Sequence, residues 1–67
     1  MNNRIIGYRK MLGWTQLDMA RHLCISLQAY RMKEKGKTPF NDKEKVIFKE
    51  LLQELFPKIT IDEIFFS

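Results

Sequence analysis

Residues 15–36, TQLDMARHLCISLQAYRMKEKG, decide how this chain folds. Thr15 and Asp18 stand at capping-box spacing, with Asp in place of the usual Glu or Gln, so a helix starts after Thr15. Met19, Ala20 and Leu23 recur at helical spacing and form the face that must be buried. Ala20 is small, which lets a following helix approach closely. Cys24 and Ile25 make a turn, with Ile25 directed inward as a plug. Ser26 then caps a further helix over residues 27–35, and Gly36 ends it. Two short amphipathic helices joined by so tight a turn must cross steeply, as in a helix-turn-helix.

The flanking segments follow the same rules. Residues 3–11 read as a first helix, with Ile5, Tyr8 and Leu12 on one face and Gly13 as its stop. Trp14 enters the core, and its indole N–H needs a partner or a watery edge. Lys37, Thr38 and Pro39 form a loop, after which Phe40 closes the core from below. Asn41 and Glu44 make a second capping box, opening a helix that extends to about Phe56, with Val46, Ile47, Leu51, Leu52 and Leu55 inward and Pro57 as its end. Thr60 and Glu63 repeat the spacing and start a short helix through Phe65. Ile59, Ile61 and Phe65 would also suit a strand, but the cap spacing favours the helix. Trp14, Tyr30, Phe40 and Phe48 are expected in the core or at its edge. The expectation is an all-α, five-helix domain spanning residues 1–67 without a linker.

Composition narrows the function. A chain of 67 residues buries only roughly 60% of its unfolded surface, which leaves no room for a deep catalytic cleft beside a core. No nucleophile–base set or carboxylate pair stands at useful spacing, so no enzyme is expected. Cys24 is the one cysteine, so no internal disulfide forms and a reducing compartment is implied. His22 and Cys24 are too few for a zinc site, and no cofactor is expected. The first ten residues lack the apolar region of a signal peptide, and no apolar run reaches membrane-spanning length. A cytoplasmic protein is expected. Residues 1–40 hold eight Lys/Arg against two acids, a balance of +6, whereas residues 41–67 hold four Lys against six acids, a balance of −2. The net charge of +4 alone would suit a merely soluble basic surface, but its segregation onto the part that holds the helix pair points to a polyanion partner, nucleic acid first.

These residues resemble the Xre/Cro-type helix-turn-helix family, which includes phage repressor N-terminal domains and Cro proteins. The similarity runs from Arg9 through Leu12-Gly13-Trp14-Thr15-Gln16, Asp18-Met19-Ala20, Leu23, Ile25-Ser26 and Tyr30 to Glu34-Lys35-Gly36-Lys37. The closing Thr60-Ile61-Asp62-Glu63-Ile64-Phe65 is similar to the family's last helix. The resemblance covers nearly the whole chain, and its strength lies in the order and spacing of elements that are individually common. It implies a compact lambda-repressor-like domain that binds operator DNA, usually as a homodimer on a palindromic site. By position it implies that Gln16 contacts phosphate where a helix N-terminus presents free N–H groups. It places Ser26, Leu27, Gln28, Arg31 and Met32 at the base-reading positions. Lys35 and Lys37 take the phosphate-contacting end of that helix and the loop after it. Arg9 and Glu34 match a structural pair tying the first helix to the third. Three departures stand out. Cys24 replaces the usual turn glycine, so either it takes a positive φ at a cost of about 1 kcal/mol or the turn differs slightly. Leu17 and Leu27 are apolar where the family is polar. Lys33 replaces an apolar residue, so its stem should pack while its ammonium reaches water.

Read one by one, the side chains sharpen this. The Gln28 amide can pair with adenine N6 and N7, and Leu27 can press on a thymine methyl. Arg31 can reach guanine or phosphate, phosphate bonds being the more numerous. Met32 divides its surface between packing and base edges. Lys43 joins Lys35 and Lys37 along the phosphates. Each of these would otherwise be an ordinary solvated side chain. Phe56, Phe65 and Phe66 exceed what so small a core needs and suggest a dimer surface formed by the last two helices. The plainer alternative has Phe56 and Phe65 capping the core. The leading expectation is a Cro-like or repressor-like regulator, and both a small autonomous regulator and an excised N-terminal domain fit the chain's end. The alternative is a protein-interaction module of antitoxin or antirepressor type, using Leu17, Leu27 and the terminal aromatics.

Overall fold

Thr15, Ser26, Asn41 and Thr60 each cap a helix in the computed structural model, which describes residues 4–66. The helices are α1 (Arg4–Leu12), α2 (Gln16–His22), α3 (Leu27–Glu34), α4 (Asp42–Leu52) and α5 (Ile61–Phe65). Among the described residues there is no strand, so the segment around Ile61 is helical. The expected start of α1 at Asn3 lies outside the described residues. Among the described residues no helix is long and apolar enough to cross a membrane.

The caps explain where the helices begin. Thr15 Oγ1 accepts the Asp18 N–H at 3.1 Å, and Asp18 Oδ2 accepts the Thr15 N–H at 3.0 Å. That backbone bond, more than the bond from the Thr15 hydroxyl, holds the exposed Asp18 carboxyl below its ordinary value. Asn41 and Glu44 exchange the same two bonds at 2.8 and 2.9 Å. Ser26 Oγ accepts the Ala29 N–H, and Thr60 Oγ1 accepts the Glu63 N–H. Arg4 Nη1 donates to the Glu63 carbonyl at 2.8 Å, joining the start of α1 to α5.

Left-handed residues explain where they end. Gly13 (φ 76°) follows α1, and Gly36 (φ 82°) follows α3. Cys24 takes φ 60° in the turn between α2 and α3, as its replacement of glycine implied. Ile25 donates its N–H to the Ala20 carbonyl and packs half-buried against the core. Lys35 is the C-cap of α3 and lies just outside the helix.

Helix α4 departs from expectation in two ways. It stops at Leu52, short of Phe56, and the Leu55 and Phe56 N–H groups close one last turn onto the Leu52 carbonyl. Phe56 precedes a proline, which disfavours helical backbone there. Its inward stripe is Glu44, Phe48 and Leu52, with Ile47 and Leu51 alongside. Val46 lies about 200° around the helix from Phe48 and is 39% exposed. Leu55, beyond the helix end, is 48% exposed. Neither points inward as the pattern suggested.

Tyr30, Phe48, Met19, Leu52 and Ile64 are the largest fully buried side chains. Phe40 closes the core as expected. Its ring lies 6.4 Å from Tyr30, 6.2 Å from Phe48 and 5.3 Å from Phe65, between centroids. Such tilted and edge-on pairs are the favoured aromatic geometry. Trp14 is half-buried at the core edge, its ring edge-on to His22.

Candidate functional site

The pair α2–α3 is fastened to α1 through one carboxylate. Glu34, near the end of α3, is 6% exposed. Its Oε2 accepts from Arg9 Nε and from the Tyr30 hydroxyl, both at 2.8 Å. Its Oε1 accepts from Gln16 Nε2 at 2.7 Å. Arg9 Nη1 also donates to the Trp14 carbonyl at 2.8 Å, so the same guanidinium fixes the α1–α2 connection. The expected Arg9–Glu34 pair is therefore present as part of a larger cluster. Burial pushes the Glu34 carboxyl up, but the bonds from Arg9, Gln16 and Tyr30 and the Arg9 charge outweigh it. The carboxyl sits below its ordinary value of 4.5. The Tyr30 hydroxyl moves the other way, raised by burial and then by its bond to Glu34.

With Tyr30 and Glu34 turned inward, the period of α3 puts Gln28, Arg31, Met32 and Lys35 on a common outer stripe. Gln28, Arg31 and Lys35 are exposed, and Met32 is half-buried, in line with its divided surface. Leu27 is half-buried at the start of the helix. Ser26 is exposed, with its hydroxyl engaged as the cap. Lys37 and Lys43 are exposed on the segments that follow. Gln16 is half-buried, and its Oε1 accepts from Arg31 Nε at 3.2 Å. One hydrogen of its Nε2 remains for an outside acceptor.

Lys33 corrects the expectation placed on it. Its ammonium pairs with the Glu44 carboxylate instead of reaching water, at a side-chain exposure of 15%. Glu44 Oε1 thus serves both Lys33 and the Asn41 backbone N–H. A buried carboxylate favours a cation over water, which is why the lysine turns in.

The partnerships of α3 differ in how visible they are in sequence. Tyr30 and Glu34 stand four apart on one helix, a spacing at which side chains meet. Gln16 with Glu34, and Arg31 with Gln16, join different helices, and no local pattern announces them. Among the described residues no three His, Cys, Asp or Glu side chains are placed to hold a metal ion.

A second exposed region lies where α1 meets the segment after α4. Tyr8, Met11, Leu55, Phe56, Pro57 and Ile59 line a shallow apolar groove with Lys58 and Glu63 among its walls. Phe56 is exposed and rests edge-on against Tyr8. Phe65 instead belongs with the core, 5.7 Å from the Phe48 ring. Phe66 is 66% exposed, with Lys45 Nζ 4.5 Å over its ring. The three terminal aromatics therefore do not form one surface. Compared with protein-family models, with curated proteins and with solved structures, the chain matches none.

Proposed function

We propose that this chain is a sequence-specific double-stranded DNA-binding regulator of the Xre/Cro type, Cro-like or repressor-like. In this reading α2, the Cys24 turn and α3 are a lambda-repressor-like helix-turn-helix, and α3 enters the major groove of an operator. One observation carries it: α3 offers Gln28, Arg31 and Lys35 to solvent on one stripe while its opposite side is clamped to α1 and α2 through Glu34. A helix so held presents its outer side chains as a rigid set, which groove reading requires.

Gln28 reads adenine, Leu27 and Met32 meet apolar base edges, and Ser26 stands at the helix entry. Lys35, Lys37 and Lys43 line the phosphates with Gln16. Two half-sites call for a homodimer. The groove at Met11, Leu55 and Phe56 is an exposed apolar surface that a second copy would cover. A cytoplasmic setting follows from the function. The test is fluorescence anisotropy on duplexes selected from a random pool. A motif should emerge, and Gln28→Ala should relax it at a single base pair.

A second reading rests on Leu17, which is 42% exposed on α2. An apolar side chain there suits a protein partner in an antitoxin- or antirepressor-type module. Leu17→Lys would abolish such a complex while leaving DNA affinity intact or raised.

A further inference from the structure

Arg31 is held at one nitrogen. Its Nε donates to Gln16 Oε1 at 3.2 Å, and among the described residues its two terminal Nη groups have no hydrogen-bond partner. Gln16 cannot turn its amide over without loss. Glu34 is a carboxylate with Arg9 at its other oxygen, so it only accepts, and Gln16 must present Nε2 to it at 2.7 Å. That leaves Oε1 as the atom facing Arg31. The orientation therefore passes along a directed series: Arg9 and Tyr30 orient Glu34, Glu34 orients the Gln16 amide, and the amide orients Arg31.

We infer that Gln16 is a positioning residue that aims Arg31 at guanine. With Nε occupied, the guanidinium keeps its Nη1/Nη2 end as a two-pronged donor, and guanine O6 and N7 are the paired acceptors on a base edge that match it. Arg31 lies three residues from Gln28 on the outer stripe of α3, so the guanine it reads neighbours the base pair read by Gln28. The inference rests on the DNA-binding reading and extends it to a base identity and to the device that enforces it. Gln16 keeps one Nε2 hydrogen, so it can touch a phosphate and still hold Arg31.

The test has one arm without DNA and one with it. In the free protein, the Arg31 Nε–H, followed by proton–nitrogen NMR, should exchange with water at least several-fold more slowly than that of the exposed Arg21. Gln16→Met, which keeps size and helix propensity, should erase the difference. Equal exchange in the wild-type protein would overturn the inference whatever the protein binds. In the second arm, affinities are measured on the selected duplex and on versions changed at one base pair. The wild-type protein should lose about 10-fold or more when the guanine is replaced, within the range of a bidentate base contact. Arg31→Lys, which keeps the charge but not the fork, should lose that preference. Gln16→Met should weaken it several-fold, and should change nothing further in the Arg31→Lys background. An even loss across all duplexes on Gln16→Met would assign Gln16 to phosphate alone and overturn the inference. Slow exchange in a protein that binds no duplex would overturn the DNA-binding reading, and the aiming role with it, while leaving the hydrogen-bonded series intact.

Discussion

The α2–α3 region and the α4–α5 region bury their side chains by different means. In the first, a carboxylate gathers donors from α1, α2 and its own helix, and what remains outside is polar or basic apart from Leu17. In the second, Phe48, Leu52 and Ile64 are wholly buried, and Phe40 and Phe65 stack around Phe48. What remains outside there is partly apolar: Val46, Leu55, Phe56 and Phe66. Hydrogen bonds demand distance and direction, so they fix where a helix points. Apolar packing demands volume, so it holds a helix in place while tolerating small rotations. A helix that must present side chains in register needs the first kind of support.

The two supports should fail differently. Phe48→Ala empties the centre of the aromatic cluster and should cost about 3–5 kcal/mol, measured by urea denaturation, close to the whole stability of so small a domain. Glu34→Ala leaves the Arg9 guanidinium half-buried without its partner and should cost a comparable 3–5 kcal/mol. The pH dependence separates them. Because the Glu34 carboxyl is held below 4.5 in the folded chain, its contribution is complete above that value. It is lost as the pH falls through the lower, folded value. Glu34→Gln should flatten the acid limb of the stability curve, whereas a conservative Phe48→Leu should lower the curve and keep its shape. An unchanged acid limb in Glu34→Gln would mean that Glu34 is not the group that couples stability to pH.

Sequence patterns revealed most of this architecture because most of it is local. The capping residues, the left-handed Gly13, Cys24 and Gly36, and the Arg9–Glu34 pair were all legible. The outline of the candidate reading helix came from the same signals. The misses came where non-local packing decides. Val46 and Leu55 look inward on hydropathy, but the stripe that faces the core is set by Phe48, whose position depends on Phe40 and Phe65. Lys33 looks like a snorkelling side chain until α4 brings Glu44 beside it. The Glu34–Gln16–Arg31 series spans separate helices and has no signature along the chain.

Two smaller effects refine the contrast. Cys24→Gly relieves the positive φ in the turn and should stabilise the fold by up to about 1 kcal/mol, read as a rise in Tm. Val46→Thr should change stability by less than about 0.5 kcal/mol, as expected of an exposed site away from any cap or cluster. A large loss there would mean that Val46 faces a packed surface after all.

We propose that α3, clamped by Glu34, reads DNA. Anisotropy titrations of the selected duplex at several salt concentrations test it most directly. With roughly five phosphate contacts, log affinity should fall against log salt with a slope of about −4.5, and the selected motif should outcompete random duplex. A flat salt response with no selected motif would contradict the account.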